Sequence, residues 1–508
     1  MSDQHNQTRR QLIKGLGITG VAMAAAPALA ASPSAEQGFD REYDIIIIGS
    51  GFAGLAAGIE AKRKGFKKVV ILEKMPTIGG NSAINGGLFA APNTEMQRRD
   101  GVTDSVEAMV QDQLAAGRGI ADETLLRHVA EHANEALELC IEAGAEFHPY
   151  LQQLGGHSVP RTYQTSVSCG AGITQPLLKL ARKEGVEVIT RANFLNFVTD
   201  AKGGVAGIEV EHGYYYERKL AEGKRERLKA GKGVIVATGG FAQNVPLRQS
   251  QDPTLTDEIG STNMKGATGE AMLQMFRLGG VPVHLAHIQS GPWASPDEGG
   301  FGYVSNYCIF NFPHSMAVNR ATGRRFMNEI ADRKTRADAI IENRDAQGEA
   351  QPPLLITSYE QANKHPNCAK VLRYNVGWKF DTLEELADHF GTPKDALKAQ
   401  LAEYNGYIEA GEDKQFGKII ADSNRIKVEA PFMVVRLWPK VHYCQGGVQI
   451  TPDAEVIDSL TGAPIPGLFA AGEVAGGIHG VSRLGSCSIP ECMVMGMTAA
   501  RTLASRKA

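Results

Sequence analysis

The segment from residue 43 to residue 73 constrains this chain most, because it reads as strand, glycine turn, helix and strand. Residues 43–48 (YDIIII) are the β-branched run that a buried parallel strand requires. The turn GSGFAG follows at 49–54, an alanine-rich helical stretch occupies 55–64, and the strand 69–73 (VVILE) ends in an acid. The segment therefore predicts a complete βαβ dinucleotide-binding unit in an α/β fold.

Each glycine of the turn, and the acid that ends the second strand, has a physical role. Gly49 makes the tight turn, Gly51 lets the backbone approach a pyrophosphate, and Gly54 allows close helix packing. Glu73 stands where it can accept hydrogen bonds from ribose hydroxyls.

This signature alone does not separate NAD from FAD, but three further runs favour FAD. Residues 79–87 (GGNSAINGG) form a small-residue loop soon after the acid. Residues 233–240 (GVIVATGG) read as a strand that enters a glycine turn, and residues 467–473 (GLFAAGE) as a strand that ends at a glycine and an acid. Elements so far apart in sequence converge where a long, extended cofactor lies across one sheet.

Length and composition indicate a multidomain protein of ordinary soluble character. The 508 residues are 43% hydrophobic and 21% charged, with a net charge of −3. The charge argues against nucleic-acid binding, and no segment is long enough for a membrane span. We predict an FAD-binding domain in two parts, residues 40–290 and 441–508, with a capping or substrate domain at 291–440, where aromatic and proline residues increase.

The N-terminus predicts an export signal. Residues 8–14 (TRRQLIK) form a twin-arginine pattern, an apolar stretch follows at 15–26, and residues 28–30 (ALA) form an A-x-A cleavage site. We therefore expect residues 1–30 to be removed near Ala30 and the folded, cofactor-loaded protein to be periplasmic.

The seven cysteines include no C-x-x-C or C-x-x-C-H spacing. The sequence therefore predicts no haem attachment site and no metal site.

Two arginines carry the expected chemistry. Arg483, in the run HGVSRLGSCS, can clamp a carboxylate in bidentate fashion beside a flavin. Arg333, in the run GRRFMNEIADRKTR, is the candidate proton donor. Together they indicate a flavin-dependent redox enzyme that acts on a carboxylic acid.

The chain resembles the soluble fumarate reductase family of flavoproteins, which includes flavocytochrome c and urocanate reductase. The matching runs are GSGFAGLAA, EKMPTIGGNSAINGG, VIVATGGF, NRATGRRFMNE and PGLFAAGEVAGGIHGVSRLG, and the likeness covers about residues 40–505. The resemblance implies noncovalent FAD, a Rossmann-like FAD-binding domain and an inserted, mobile α+β capping domain. It also implies hydride transfer from flavin N5 to the alkene carbon β to a carboxylate, and proton donation by an arginine.

Carried over by position, Arg483 is the expected carboxylate clamp and Arg333 the expected acid. His287 stands where the family has a substrate-contacting histidine, and His442 matches the first of two adjacent histidines. The candidate cofactor-binding residues are Gly49, Gly51, Ala53, Gly54, Glu73, Lys74, Gly80, Asn81, Ser82, Asn85, Gly86, Gly87, Ala237, Thr238, Gly239, His442, Gly472, Glu473, Ser488 and Ile489.

The chain departs from the fumarate reductase pattern in three places. Tyr307 and Cys308 lie where a Thr-Glu pair is expected, Asn311 replaces a relay arginine, and Tyr443 replaces the second histidine. Because burying a carboxylate without partners costs several kcal/mol, we expect the far end of the substrate not to be a carboxylate. Tyr307 and Tyr443 offer aromatic faces instead, and both are counted among the candidate catalytic residues.

The sequence thus predicts a periplasmic FAD-dependent reductase of an α,β-unsaturated monocarboxylate, acting in anaerobic respiration. An aryl acrylate such as cinnamate or urocanate is favoured over fumarate. The alternatives are a small enoate such as acrylate or methacrylate, fumarate itself, or a ketosteroid-type dehydrogenation. A flavin-binding electron carrier without a small substrate is a further, non-enzymatic possibility. Without haem of its own, the chain needs electrons from a separate periplasmic cytochrome c or a quinol-linked donor.

The export signal gives the first testable prediction. The periplasmic protein should begin close to Ala31, and replacing Arg9 and Arg10 with Lys should leave the full-length precursor in the cytoplasm. N-terminal sequencing of fractionated cells checks both statements. A periplasmic protein that still begins at Met1 would contradict the assignment.

Overall fold

The computed structural model describes residue 35, residues 38–216 and residues 223–506. The export signal expected at residues 1–30 lies outside the described residues, so it stays a prediction.

Eighteen strands and fifteen α-helices make up the described fold. The strands are β1 (Arg41–Ile48), β2 (Val69–Glu73), β3 (Leu88–Ala90), β4 (Thr162–Gln164), β5 (Glu187–Thr190), β6 (Ala192–Thr199), β7 (Val205–His212), β8 (Arg225–Val236), β9 (Pro282–Val283), β10 (Ile288–Gly291), β11 (Met316–Val318), β12 (Leu354–Ser358), β13 (Trp378–Phe380), β14 (Phe432–Arg436), β15 (Lys440–Cys444), β16 (Gly447–Val448), β17 (Glu455–Ile457) and β18 (Pro464–Ala470).

The helices are α1 (Phe52–Arg63), α2 (Gly80–Ile84), α3 (Glu95–Arg99), α4 (Val106–Ala116), α5 (Glu123–Ala143), α6 (Ala171–Lys183), α7 (Val245–Gln251), α8 (Glu270–Arg277), α9 (Gly302–Asn311), α10 (Arg333–Ile341), α11 (Tyr359–Ala362), α12 (Asn367–Arg373), α13 (Leu383–Phe390), α14 (Lys394–Ala410) and α15 (Ser488–Ser505). Short 3-10 helices lie at Phe312–His314 and Asp422–Asn424.

The main sheet has the strand order β17-β18-β8-β1-β2-β5; in addition, β7 pairs with β8, and β6 pairs with β7. Strands β18, β8, β1, β2 and β5 run parallel, in registers such as Ile47 opposite Ile71 and Ile235. The four isoleucine side chains of β1 are all buried, as expected for a parallel strand that is covered on both faces. The parallel order brings the carboxyl ends of β1, β2, β8 and β18 to one edge of the sheet, where the site lies.

Helix α15 packs against α1 at glycine contacts. A Cβ on Gly496 would meet the carbonyl oxygen of Ala53 at 2.3 Å, and one on Gly54 would meet that of Gly49 at 2.0 Å. These contacts hold the first helix close to both the glycine turn and the C-terminal helix.

A second sheet, with the order β11-β12-β14-β13, is antiparallel throughout. Helices α13 and α14 cover it, and a separate hydrophobic cluster that includes Met316, Ile356, Leu397 and Val434 lies between sheet and helices. The prediction of a Rossmann-like α/β fold with an inserted α+β unit is confirmed. The exact domain boundaries stay a prediction.

A buried ionic cluster holds the segment that leads to α10. The Arg325 guanidinium contacts Glu329 at 2.8 Å and Asp413 at 3.0 Å, and the Lys418 ammonium lies 3.4 Å from Glu329. All four side chains are fully buried. Asp332 then caps α10 by accepting hydrogen bonds from two backbone N–H groups, so the helix begins at Arg333 in a fixed place.

In the described residues, no helix combines the length and apolar character needed to cross a bilayer. The same residues contain no group of three or more His, Cys, Asp or Glu side chains arranged to hold a metal ion.

The packing of the first helix gives a stability prediction. Gly54→Ala places a methyl group against the Gly49 carbonyl, so we expect the free energy of unfolding to fall by roughly 1–3 kcal/mol and cofactor occupancy to drop. Gly406→Ala is the control, because its Cβ would meet nothing within 4 Å inside helix α14. That variant should gain roughly 0.5–1 kcal/mol. Denaturant unfolding checks both; equal stability of the two variants would contradict the packing argument.

Candidate active site

The glycine turn after β1 forms the floor of a cleft. Gly49 has φ +106°, and a Cβ there would meet the Ala237 carbonyl oxygen at 2.2 Å. A Cβ on Gly51 would meet the Ser82 hydroxyl at 2.9 Å, and that hydroxyl accepts a hydrogen bond from the Phe52 N–H at 3.0 Å. Backbone alone therefore faces the cleft at the N-terminus of α1, which is suited to a phosphate group.

Glu73 ends β2 beside this turn. Its carboxylate accepts hydrogen bonds from the Ser50 hydroxyl at 2.5 Å and from the Met75 N–H at 2.8 Å. The Ser50 hydroxyl in turn accepts a hydrogen bond from the Gly79 N–H at 2.9 Å. The acid is thus fixed at the carboxyl edge of the sheet, where the sequence analysis expected a ribose partner.

A cavity of about 980 Å³ follows this edge. The Thr238 hydroxyl in its lining is buried without a hydrogen-bond partner, as expected where a bound group supplies one. An acid at one end and a glycine turn at a helix N-terminus fit an extended dinucleotide such as FAD. The sequence-derived cofactor candidates in its lining are Gly49, Gly51, Ala53, Glu73, Lys74, Gly80, Asn81, Ser82, Ala237, Thr238, Gly239, Gly472 and Glu473.

A second cavity, of about 850 Å³, adjoins the first. The two share five lining residues, namely Phe52, Asn81, Ser82, Glu473 and Cys492. They therefore form one continuous trough from Glu73 to the two candidate catalytic arginines. The cofactor candidates that line the second cavity are Asn81, Ser82, Asn85, Gly86, His442, Glu473, Ser488 and Ile489.

Gly54 and Gly87 are cofactor candidates that line neither cavity. A Cβ on Gly87, which has φ +65°, would meet the Thr165 hydroxyl at 2.4 Å and the Cys169 carbonyl oxygen at 2.7 Å. Both glycines act through close packing behind the cleft.

Arg483 and Arg333 lie together in the second cavity. The Arg483 guanidinium is centred 4.5 Å from the Tyr443 ring, and its Nη1 donates to the Leu484 carbonyl at 3.0 Å. The Arg333 guanidinium is centred 4.7 Å from the Trp293 ring. Arg333 Nη1 and Arg483 Nε are buried without a hydrogen-bond partner.

No carboxylate in the described parts of the chain forms an ion pair with either arginine. Burial and the positive charges of Arg483 and Arg336 hold the pKa of Arg333 well below its ordinary value. Because two buried cations without an anion are costly, the pair is suited to binding an anionic ligand.

His442 stands beside them as a neutral imidazole. Its Nδ1 lies 2.8 Å from the Thr262 hydroxyl, and its ring lies edge-on to Trp293 at 5.1 Å. Burial and the nearby charges of Arg333 and Arg483 lower the pKa of His442 well below its usual range.

Glu473 is the acid at the junction of the two cavities. Its Oε1 accepts a hydrogen bond from the Cys444 N–H at 2.8 Å. Burial raises the pKa of Glu473 to about 7.

The structure corrects two expectations about substrate contacts. Tyr307 is fully buried, and its hydroxyl donates to Thr357 at 3.4 Å in the capping sheet. Its position on α9 turns it into the main hydrophobic core, so it offers no face to the cavity. His287 also lies outside the cavity lining, and its ring packs edge-on against His284 at 5.5 Å.

Of the residues that depart from the fumarate reductase pattern, Tyr443 alone lines the cavity. Cys308 is buried, and Asn311 donates from Nδ2 to the Tyr307 carbonyl at 3.0 Å. Asn311 Oδ1 and Arg336 Nε are buried without partners.

Sequence reasoning missed the apolar part of the second cavity's lining, which consists of Trp293, Phe301 and Ile309. It also missed Asn263, which accepts a hydrogen bond from Asn81 at 2.6 Å and donates to the His442 carbonyl at 2.8 Å. The rise in aromatic residues after residue 290 was the available signal for the apolar part of the lining. Asn263 lies in no motif, and nothing in its local sequence marks it.

Comparison with known proteins agrees with this geometry. The family model described as FAD binding domain matches residues 44–489. The acrylate reductase flavoprotein subunit of Shewanella woodyi is 68% identical over 505 residues, which is 99% of each chain. The urocanate reductase of Eggerthella lenta is 34% identical, over 94% of this chain and 77% of its own.

Among solved structures, the open conformation of a flavocytochrome c3 fumarate reductase matches with a TM-score of 0.76 and 29% identity. The match covers 93% of this chain and 79% of that one. One assignment follows from the βαβ unit, the cleft suited to an extended dinucleotide and the similarity to these relatives. The chain belongs to the FAD binding domain family, and it is an FAD-dependent oxidoreductase related to the soluble fumarate and urocanate reductases.

Proposed function

We propose that this protein reduces the carbon–carbon double bond of a small α,β-unsaturated monocarboxylate of the acrylate type. The carrying observation is the pair of arginines without a carboxylate partner in a cavity that is also lined by Trp293, Phe301 and Ile309. The arginines can hold one carboxylate, and the apolar side chains offer no charge for a second.

Arg483 is the proposed clamp. A carboxylate bound there receives charge-assisted hydrogen bonds from a guanidinium that Tyr443 and the Leu484 carbonyl already hold in place. Because the arginine is prearranged, little side-chain entropy is lost when the substrate binds. The bound carboxylate also withdraws electrons from the double bond, which makes the β carbon the hydride acceptor.

Arg333 is the proposed proton donor. Bound FAD supplies the hydride. Arg333 can hold a proton at Nη1, which is buried without an acceptor, next to the site where charge develops on the α carbon. Its depressed pKa makes this guanidinium a stronger acid than an ordinary arginine, and the neighbouring charge of Arg483 favours release of the proton.

The preference for a small acid rests on the apolar part of the cavity lining. Phe301 and Ile309 present no donor to a second carboxylate, and the Trp293 indole N–H is a single neutral donor that cannot pair a charge. An unpaired buried charge costs several kcal/mol. The aryl preference inferred from Tyr307 and Tyr443 loses support, since Tyr307 is buried outside the cavity lining and Arg483 occupies one face of the Tyr443 ring. The relative at 68% identity, an acrylate reductase subunit, also supports a small enoate.

We further propose that the electrons come from a separate periplasmic cytochrome c or a quinol-linked partner during anaerobic respiration. The expected twin-arginine signal supports this location, and the description of the Shewanella woodyi relative as a flavoprotein subunit supports a separate partner.

Anaerobic reoxidation of the dithionite-reduced holoprotein tests the proposal. Acrylate should restore the absorbance of oxidised flavin, with one propionate formed per flavin, as measured by NMR. If no unsaturated monocarboxylate reoxidises the flavin, the proposed activity is wrong and an electron-carrier role gains support.

Arg483→Lys should retain FAD but raise the KM for acrylate roughly tenfold or more and lower turnover. Lysine is a point charge that cannot form a bidentate contact, and one charge-assisted hydrogen bond contributes about 1.5–3 kcal/mol. Steady-state kinetics with a reduced viologen dye measures both constants. Wild-type kinetics in this variant would remove Arg483 from substrate binding.

Arg333→Ala should abolish acrylate reduction while dithionite still reduces the flavin. Arg324→Ala, an exposed arginine in the same segment, is the matched control and should turn over normally. If Arg333→Ala is active, the proton comes from another group, and the buried Arg336 is the nearest substitute in sequence.

A further inference from the structure

A buried polar cluster lies behind Arg483, on the side of Tyr443 that carries the hydroxyl group. The Tyr443 hydroxyl is 3.5 Å from Glu491 Oε2, and the Cys492 thiol is 3.4 Å from the same oxygen. His479 Nε2 lies 4.0 Å from Glu491 Oε2, and its ring is edge-on to Tyr443 at 5.9 Å. None of these contacts was expected from the sequence.

Glu491 has the surroundings of a neutral carboxylic acid. Its side chain is 1% exposed, and its Oε1 has no hydrogen-bond partner. Both ring nitrogens of His479 also lack partners, and burial lowers the pKa of His479 to about 3, so this imidazole is uncharged. A buried carboxylate with no cation in contact is far more stable when protonated.

Tyr443 connects this acid to the substrate clamp. One face of its ring lies 4.5 Å from the Arg483 guanidinium, while its hydroxyl reaches Glu491. Rotation of the tyrosine would remove the surface on which Arg483 rests. A negative charge on Glu491 would also weaken the attraction of Arg483 for a carboxylate in the cavity.

We propose that Glu491 is a positioning residue that holds Tyr443 beneath Arg483 and that, as the neutral acid, leaves the Arg483 charge free for the substrate carboxylate. This role rests on the proposed function, because it concerns the carboxylate that Arg483 binds. It predicts that substrate affinity is lost when Glu491 ionises.

The direction of the pH effect follows from burial. Burial raises the pKa of Glu491 to about 8, so the acid is neutral below that pH and ionises above it. The other groups that face it are Glu473, Arg483, Tyr443, His479 and Cys492. Of these, Glu473 has a pKa raised to about 7 and titrates nearby, so a variant must separate the two acids.

The first measurement is the KM for acrylate of the wild-type holoenzyme between about pH 6.5 and pH 9. If the carboxylate binds only to the form with neutral Glu491, KM should rise roughly tenfold by one pH unit above the pKa. Turnover should change less, because Glu491 contacts Tyr443 beneath the clamp and does not itself line the cavity. A flat KM across the range overturns the proposal.

Glu491→Gln removes the ionisation but retains the shape and a hydrogen-bonding group. Its KM should be flat above about pH 7.5. Glu60→Gln is the matched control, because Glu60 is a buried glutamate that pairs with Arg501 at 2.7 Å, away from the cavity lining. That variant should keep the wild-type rise. A rise that survives in Glu491→Gln belongs to Glu473 and overturns the assignment to Glu491.

Tyr443→Phe removes the hydroxyl group that contacts Glu491 and leaves the ionisation of Glu491 itself in place. The hydroxyl stabilises the ionised form of Glu491, so its removal should move the midpoint of the KM rise to higher pH. An unchanged midpoint overturns the link between the two residues. Failure of the wild-type enzyme to reduce acrylate at any pH is a different result, which overturns the proposed function together with this inference.

Discussion

Two buried guanidinium groups without a carboxylate partner share one cavity, and this electrostatic imbalance determines what the site can bind. Arg333 and Arg483 are held by aromatic rings, which provide weaker stabilisation than an anion would. Their unpartnered nitrogens are the kind of buried polar atom that folded proteins retain where a ligand supplies the missing contact. A carboxylate therefore completes a set of interactions that the protein leaves open.

The two arginines come from different parts of the fold. Arg483 lies in the loop before α15, which packs on the dinucleotide-binding sheet, whereas Arg333 begins α10, which packs against β10. The buried cluster of Arg325, Glu329, Asp413 and Lys418 fixes the chain just before α10. The two candidate catalytic arginines are thus placed by separate elements that meet in one hydrophobic core.

Sequence reasoning reached the cofactor site because that site is built from local patterns. Residues 43–73 contain a β-branched strand, a glycine turn and a terminal acid in direct succession. Arg333 and Arg483 stand in sequence runs that match the family. Tyr307 shows where sequence reasoning ends. Whether a residue of α9 faces the cavity or the protein interior depends on how that helix packs against neighbours such as Thr357 of β12, which the local sequence does not specify. Glu491 was missed for a similar reason, since its proposed role depends on its contact with Tyr443, which is distant in sequence.

We propose that the cavity holds one carboxylate at Arg333 and Arg483 and an uncharged group beside Phe301 and Ile309. Values of kcat/KM for acrylate, fumarate and cinnamate, measured on one preparation of the FAD-loaded enzyme, test this proposal. We expect kcat/KM for acrylate to exceed that for fumarate by about a hundredfold or more, because a second buried carboxylate without partners costs several kcal/mol. We also expect it to exceed that for cinnamate. A kcat/KM for fumarate equal to or above that for acrylate would contradict this description of the cavity.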